Sequence, residues 1–209
     1  MDPAERDFEP YVKQMMQLMT ENLARMTHTI SKTDINALLS EILRARRVFV
    51  IGLGRSGLVA GAFAMRLTHL GIPTFVIGET IVPGVSEQGM VGDLLVMFSS
   101  TGRQGTAVHI AADMKNIGKA KVFLITSQLK SPAGDIADHI VHFQCDEYQK
   151  QCAEEGWTCF APLGTFFETA AWIFADAVIS GIMEAKGIDA DAMENTHANL
   201  MGLNLLPDD

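Results

Sequence analysis

Residues 48–57 read VFVIGLGRSG, and this pattern indicates the fold class of the chain. Its β-branched and aromatic residues are followed at once by glycines, which is typical of a short buried strand that turns into a helix. Apolar residues then recur at helical spacing over 56–70, and a second short apolar run follows at 74–77. The pattern predicts a strand, a glycine turn and a helix that leads to a parallel strand.

The same alternation extends in both directions along the chain. Short apolar runs predict further strands at 94–98, 121–125 and 139–143. Periodic stretches predict helices at 10–30, 34–45, 104–116, 133–137, 165–186 and 189–200. The polar stretch 144–156 is predicted to be a surface loop. The alternation indicates an α/β fold of three layers, α/β/α, with a five-stranded parallel sheet and additional N-terminal helices.

Length and composition bound the number of domains. The chain has 209 residues, of which 48% are hydrophobic and 20% are charged, so it has enough apolar material for one compact core. It is too short for two generous domains. We therefore expect a single domain over 1–209, divided into N-terminal helices at 1–45, a sheet core at 46–143 and C-terminal helices at 162–200.

Charge and cysteine usage restrict the partners and the compartment. A net charge of -9 argues against a general nucleic-acid binder, which needs a basic face. The charged N-terminus lacks a signal-peptide pattern, and the apolar run 170–182, which Asp176 interrupts, is expected to be too short to span a bilayer. Cys145, Cys152 and Cys159 fit neither a disulfide framework nor a zinc site. We expect a cytoplasmic protein with reduced thiols.

The glycine turn has three possible explanations. Gly52, Gly54 and Gly57 match the G-x-G-x-x-G pattern of dinucleotide-binding proteins, and Glu79 follows the second strand where such proteins place a ribose-binding acid. The loop suits a sugar phosphate equally well, because the helix start offers free N–H groups to any anion. A tight turn that needs glycine is the simplest explanation. This loop alone does not decide between them.

The third strand ends in a loop rich in hydroxyl groups, which favours phosphate binding. The loop reads SSTGRQGT at 99–106. An ordinary N-cap accounts for one hydroxyl group in this loop but not for four. Ser99, Thr101 and Thr106, together with backbone N–H groups, could instead surround three phosphate oxygens. The candidate phosphate-binding residues of the two loops are Gly54, Arg55, Ser56, Ser99, Ser100, Thr101, Gly102, Arg103 and Thr106, with Glu79 as a further substrate-binding candidate.

Together these motifs resemble the sugar isomerase (SIS) domain family, and most closely its 6-phospho-3-hexuloisomerases. The motifs are GRSG at 54–57, AMRLTHLG at 64–71, GETIVP at 78–83, GDLL at 92–95, SSTGR at 99–103, PLGTFFE at 162–168 and a late histidine, His197. Their order and spacing carry the resemblance, which runs from about 48 to 200. Ser100, Gln104 and Gly105 stand where the family's phosphate loop has glycine, threonine and an acid.

The resemblance implies a cofactor-free and metal-free isomerase with SIS-type, flavodoxin-like strand order. It implies interconversion of D-arabino-hex-3-ulose 6-phosphate and D-fructose 6-phosphate through an enediol, in the ribulose monophosphate pathway of formaldehyde fixation. Glu168 would be the enolisation base, His197 a second polar catalytic group, and Ser56 with the loop 99–106 would hold the phosphate. Homotetramers or dimers with sites near the interfaces are implied as well.

Two other functions stay open on the sequence alone. The first is a non-catalytic module of the same fold that binds sugar phosphates. The second is an NAD(P)-dependent reductase, which has the glycine pattern and Glu79 in its favour but lacks a Tyr-x-x-x-Lys pair and a second domain. Arg55 lies in the first loop and Arg103 in the second. A cation is unfavourable at a helix start unless an anion is near, and this makes Arg55 the stronger candidate for contact with an anionic ligand.

Overall fold

The structure is a computed structural model that describes residues 7–84, 91–157 and 161–194. Its strands are β1 Arg47–Ile51, β2 Thr74–Val76, β3 Asp93–Phe98, β4 Lys121–Thr126 and β5 His139–His142. Its helices are α1 Glu9–Thr27, α2 Lys32–Arg44, α3 Arg55–His69, α4 Gly105–Asn116, α5 Pro132–Ile136, α6 Cys145–Glu154, α7 Thr165–Lys186 and α8 Ala190–Glu194. A 3-10 turn, Pro162–Gly164, precedes α7.

All five strands are parallel and lie in the order β2-β1-β3-β4-β5. The chain moves from β1 outward to β2, and then returns to the other side of β1 to build β3, β4 and β5. The crevice between β1 and β3 is therefore the switch point, and ligands of such sheets bind beyond the carboxyl ends of the strands at that point. The predicted α/β fold and its flavodoxin-like order are confirmed.

Helices cover both faces of the sheet because successive strand residues point to opposite sides. In β1, Val48 and Val50 belong to the larger core, which also includes buried residues of α2, α3 and α7. Phe49 and Ile51 belong to the smaller core, which α4 and α5 complete. All six residues of β3 are buried, as expected for a central strand covered on both faces. The three predicted layers are present.

The glycines after β1 bring α3 close to the strand that precedes it. A Cβ atom on Gly52 would lie 2.4 Å from the carbonyl oxygen of Ser56, and one on Gly57 would lie 2.8 Å from that of Gly52. Gly54 has φ 58° and ψ -132°, a conformation that L side chains rarely adopt. The glycine pattern is therefore explained by packing and turn geometry, whatever ligand the loop binds.

The stretch 144–156 was predicted to be a surface loop, and this prediction is wrong. Residues Cys145–Glu154 form α6, and Cys145 and Cys152 are each only 3% exposed. Tyr148, which lies between them at helical spacing, packs its ring at 6.2 Å from that of Phe166. The buried stripe is narrow and the rest of the helix is polar, so the high average polarity of 144–156 hid the helical pattern. Burial raises the pKa of Cys145 to about 12, so this thiol is protonated at neutral pH.

Helix α7 is longer than the apolar run that the sequence indicated. Its 22 residues include, within the described ranges, the one helix segment long and apolar enough to cross a bilayer, so the estimate from 170–182 was too short. Half of that segment is buried inside the protein, with the ring of Phe174 5.3 Å from that of Phe143. Burial in the core accounts for the apolar composition. The predicted last helix is described only as Ala190–Glu194.

Candidate active site

A cavity of about 300 Å³ opens at the carboxyl ends of the central strands. It lies where the reversal of strand order predicts a ligand. Its walls come from the loops after β1 and β3, from α6, from the 3-10 turn and from α7. The lining residues are Leu53, Ser56, Ser100, Thr101, Gln104, Asp146, Gln149, Leu163, Gly164 and Glu168.

Two helix starts at this edge of the sheet have no acidic residue of their own. Neither α3 nor α4 has a side-chain cap or an acidic residue in its first turn. By contrast, Ser31 caps α2 and Ser131 caps α5. An uncapped helix start offers unpaired N–H groups and a partial positive charge, which together attract an anion. The cavity lies beside both uncapped starts, so its β1 and β3 side is suited to a phosphate.

Hydroxyl groups from both loops line this side of the cavity. Ser56 lies in the first turn of α3 and is 4% exposed, while Ser100 and Thr101 follow β3. Thr126 fixes the second loop by donating its Oγ1 proton to the Ser100 carbonyl at 2.9 Å. Three of the predicted phosphate-binding side chains therefore share one cavity. Serine and threonine hydroxyls can donate hydrogen bonds to phosphate oxygens.

Ser99 and Gly102 shape the loop instead of lining the cavity. The Ser99 side chain is fully buried, and its Oγ accepts a hydrogen bond from the Gly102 N–H at 3.1 Å. Gly102 has φ 62°, and a Cβ there would lie 2.2 Å from the Ser131 hydroxyl oxygen. A side chain at this position would therefore displace the loop. The sequence of the loop did not separate the residues that shape it from those that line the cavity.

Five other predicted site residues fall outside the described lining of this cavity: Gly54, Arg55, Glu79, Arg103 and Thr106. Glu79, Arg103 and Thr106 are exposed, and Arg103 donates to the carbonyl oxygen of Lys130 at 3.4 Å. Gly54 forms the N-cap of α3 and acts through its backbone. His197 lies outside the described residues, so its catalytic role stays a prediction.

Glu168 and Arg55 form an ion pair beside the cavity. Arg55 is the first residue of α3 and Glu168 lies in the first turn of α7, and the Arg55 Nε donates to the Glu168 Oε2. The Glu168 side chain is 12% exposed and that of Arg55 is 60% exposed. The pair supplies the anion that a cation at a helix start requires. It also joins the cavity to a second, more apolar hollow of about 390 Å³ that Leu58 and Trp172 help to line.

The backbone just before α7 is strained. Ala161, Leu163 and Gly164 have φ values of 41°, 55° and 84°, and the first two are not glycines. Such conformations cost on the order of 1–3 kcal/mol each and persist only where neighbouring contacts hold them. Gln149 on α6 is one such contact, since its Nε2 donates to the Ala161 carbonyl at 3.1 Å. The strained turn sets the direction in which α7 leaves, and hence the position of Glu168.

Sequence reasoning missed the two residues that α6 contributes, Asp146 and Gln149. Both were inside the stretch interpreted as a loop, and the only signal was the spacing of Cys145, Tyr148 and Cys152.

Within the described ranges, His, Cys, Asp and Glu side chains form no group of three or more suited to a metal ion.

This chain belongs to the SIS domain family, whose domain matches residues 41–153. It is 38% identical to an uncharacterized protein of Aeropyrum pernix. The alignment spans 200 residues and covers 89% of this chain and 92% of that protein. It is 35% identical to a 3-hexulose-6-phosphate isomerase of Bacillus subtilis. This alignment spans 171 residues and covers 82% of this chain and 89% of the relative. The resemblance stated from the motifs is confirmed.

A solved structure supports the same relationship. It is a protein of Methanococcus jannaschii for which a molecular function of 3-hexulose-6-phosphate isomerase was inferred. The two chains superpose with a TM-score of 0.73 at 28% sequence identity, over 90% of this chain and 99% of the other.

Proposed function

We propose that this protein is a sugar-phosphate isomerase that interconverts D-arabino-hex-3-ulose 6-phosphate and D-fructose 6-phosphate. The observation that carries the proposal is the meeting of Glu168 with Ser56, Ser100 and Thr101 around one cavity. A carboxylate near donors for phosphate is what an enolisation of a phosphorylated ketose needs. The names of the two relatives support the same substrate class.

The reaction moves a carbonyl group from C3 to C2 without any external oxidant. Glu168 removes the proton from C2, the electron pair of that C–H bond forms the C2=C3 bond, and the carbonyl electrons move onto O3. O3 takes up a proton and O2 loses one, so that the C2 carbonyl forms. The carboxylic acid of Glu168 then returns its proton to C3. Acid–base catalysis by a positioned side chain contributes about 10²–10⁴-fold.

Arg55 and the two loops supply the charges that this sequence of steps requires. The Arg55 guanidinium has five N–H donors, and in the described contacts its Nε donates to Glu168. The remaining donors are available to the negative oxygen that develops on the enediolate. The phosphate on C6, bound at the starts of α3 and α4, fixes C2 and C3 relative to Glu168. No metal or organic cofactor takes part in this mechanism.

We further propose that the protein acts as a cytoplasmic homo-oligomer with its sites near the subunit interfaces. The surface beside Glu168 is apolar, because Leu58, Trp172 and Ile173 are 67%, 44% and 51% exposed on neighbouring helices. Contiguous exposed apolar residues mark surfaces where proteins associate. Such an interface would enclose the hollow that Arg55 and Glu168 share.

A coupled assay tests the proposed activity. The purified protein receives hex-3-ulose 6-phosphate, and glucose 6-phosphate is followed after addition of an auxiliary isomerase, with and without EDTA. Turnover that is unchanged by EDTA is the expected result. Binding of fructose 6-phosphate without turnover would instead indicate a sensor module, and a rise in melting temperature with NAD alone would indicate a reductase.

A further inference from the structure

Helix α6 brings a second carboxylate, that of Asp146, to the cavity. Asp146 and Glu147 both lie in the first turn of α6, where acids stabilise any helix. Of these two acids only Asp146 is among the residues that line the cavity, together with Ser56 of α3 and Glu168 of α7. The dipole explains an acid at either position, but it does not explain why one of them faces the candidate substrate pocket.

The position of Asp146 along the edge of the sheet indicates which part of a ligand it meets. The phosphate-binding hydroxyls follow β1 and β3, whereas α6 begins directly after β5. Because neighbouring strands are about 4.8 Å apart, β3 and β5 are separated by roughly 10 Å. A carboxylate next to a phosphate is repelled by it. Asp146 is therefore placed to meet the uncharged, hydroxylated part of a bound sugar phosphate.

Among the described residues, Asp146 is held in place and keeps free acceptor capacity. Its Oδ2 accepts a hydrogen bond from the Gln128 Nε2, and Gln128 follows β4. An ionised carboxylate accepts up to about four hydrogen bonds, so one amide contact leaves room for sugar hydroxyls. Gln128 acts as a positioning residue, since it fixes the carboxylate at the cavity wall without lining the cavity itself.

We propose that the Asp146 carboxylate binds a non-reacting hydroxyl of the sugar phosphate and thereby determines which sugars the site accepts. The inference rests on the proposed function for its substrate, but it concerns binding and not proton transfer. Hydrogen bonds from neutral groups to a charged acceptor are among the stronger ones in proteins. A sugar that lacks the hydroxyl, or presents it in the wrong configuration, leaves this carboxylate without its partner.

Calorimetric titration of two probes, fructose 6-phosphate and inorganic phosphate, tests this role. We expect Asp146→Ala to weaken binding of fructose 6-phosphate by about 10–100-fold, and to leave phosphate binding unchanged or slightly tighter. Asp146→Asn keeps the acceptor for Gln128 and should lose a smaller part of the affinity. Glu147→Gln, which removes the neighbouring carboxylate outside the cavity, is the matched control and should bind both probes normally.

The outcomes separate this inference from the proposed reaction. If the protein binds fructose 6-phosphate in an Asp146-dependent manner but does not turn over the hexulose phosphate, the reaction is wrong and the hydroxyl contact stands. The role of Asp146 is overturned if Asp146→Ala weakens the binding of both probes equally, or if Asp146→Ala binds fructose 6-phosphate normally. It is also overturned if the unaltered protein does not bind fructose 6-phosphate. Asp146→Asn, whose melting temperature should match the parent protein, guards against a folding defect.

Discussion

Two clusters of arginine and carboxylate lie at opposite ends of the sheet, and they differ in how fully the carboxylate is satisfied. At the amino end, Asp93 has a fully buried side chain and accepts hydrogen bonds from Arg46 and Arg47 at 2.5–3.2 Å. At the carboxyl end, Glu168 is 12% exposed and pairs with Arg55, whose side chain is 60% exposed.

An ion pair can take part in chemistry only when it retains unused donors or acceptors. Both Asp93 oxygens accept hydrogen bonds from the two guanidinium groups, so the cluster holds β1 and β3 together and offers little to a ligand. Glu168 faces a cavity beside two uncapped helix starts. The first cluster should therefore affect stability, and the second should affect activity.

The largest effect is expected at Glu168. Glu168→Gln keeps the shape and the hydrogen bond to Arg55 but cannot accept a proton from carbon, so the turnover number should fall about 10²–10⁴-fold. The melting temperature should change little. The coupled assay and thermal unfolding measure the two quantities. A folded Glu168→Gln protein with full activity would remove the carboxylate from the mechanism.

Asp93 should show the opposite behaviour. Asp93→Asn leaves two guanidinium groups beside a neutral side chain, and loss of a partner from a buried ion pair costs about 3 kcal/mol. Arg46 is half exposed, so water compensates part of this loss. Chemical denaturation should show the lower free energy of unfolding, while the folded fraction keeps its specific activity. A variant that loses activity at full stability would contradict the division between the two ends.

The hydroxyl groups of the cavity should affect affinity for phosphate. Ser56→Ala and Ser100→Ala each remove one donor to a charged oxygen, so each should raise the KM for the hexulose phosphate by about tenfold. The turnover number should change less. Thr106→Val, an exposed position outside the described lining, is the control. Equal effects of all three substitutions would mean that the phosphate lies elsewhere on the loop.

The smallest effect is expected at Gln149, which holds the strained turn before α7. Gln149→Ala removes the donor to the Ala161 carbonyl, so Glu168 should sample a wider range of positions. We expect the turnover number to fall a few-fold, with unchanged affinity for inorganic phosphate. Gln149→Glu offers no donor in its ionised form and should behave like Gln149→Ala. A loss of phosphate binding in either variant would show that Gln149 acts on the loops instead.

The sequence was sufficient for those features that depend on local patterns. Alternating apolar runs and helical stripes predicted the parallel sheet, and the glycines at 52, 54 and 57 predicted the turn into α3. The rule that ligands bind at the carboxyl ends of the strands then placed Ser56 and Ser100 near one another. Topology alone brings the two loops to the same edge of the sheet, while the other walls of the cavity come from α6, the 3-10 turn and α7.

Other features depend on long-range packing, which no local pattern reveals. Arg55 and Glu168 are 113 residues apart, and their contact requires the specific register of α3 against α7. The inward direction of Ser99 depends on how Gly102 packs against Ser131. Asp146 was missed because α6 presents only a narrow apolar stripe in a polar stretch. Residue types indicated the chemistry, but packing decided which of them face the cavity.

Deuterium exchange into the sugar tests the assignment of Glu168 as the base, because it reports proton transfer at carbon. Fructose 6-phosphate is incubated with the protein in D₂O, and deuterium at C3 is followed by NMR. We expect the unaltered protein to introduce deuterium at C3 and Glu168→Gln to do so at least about 100-fold more slowly. Equal rates of uptake by the two proteins would contradict the assignment of Glu168 as the group that moves the proton.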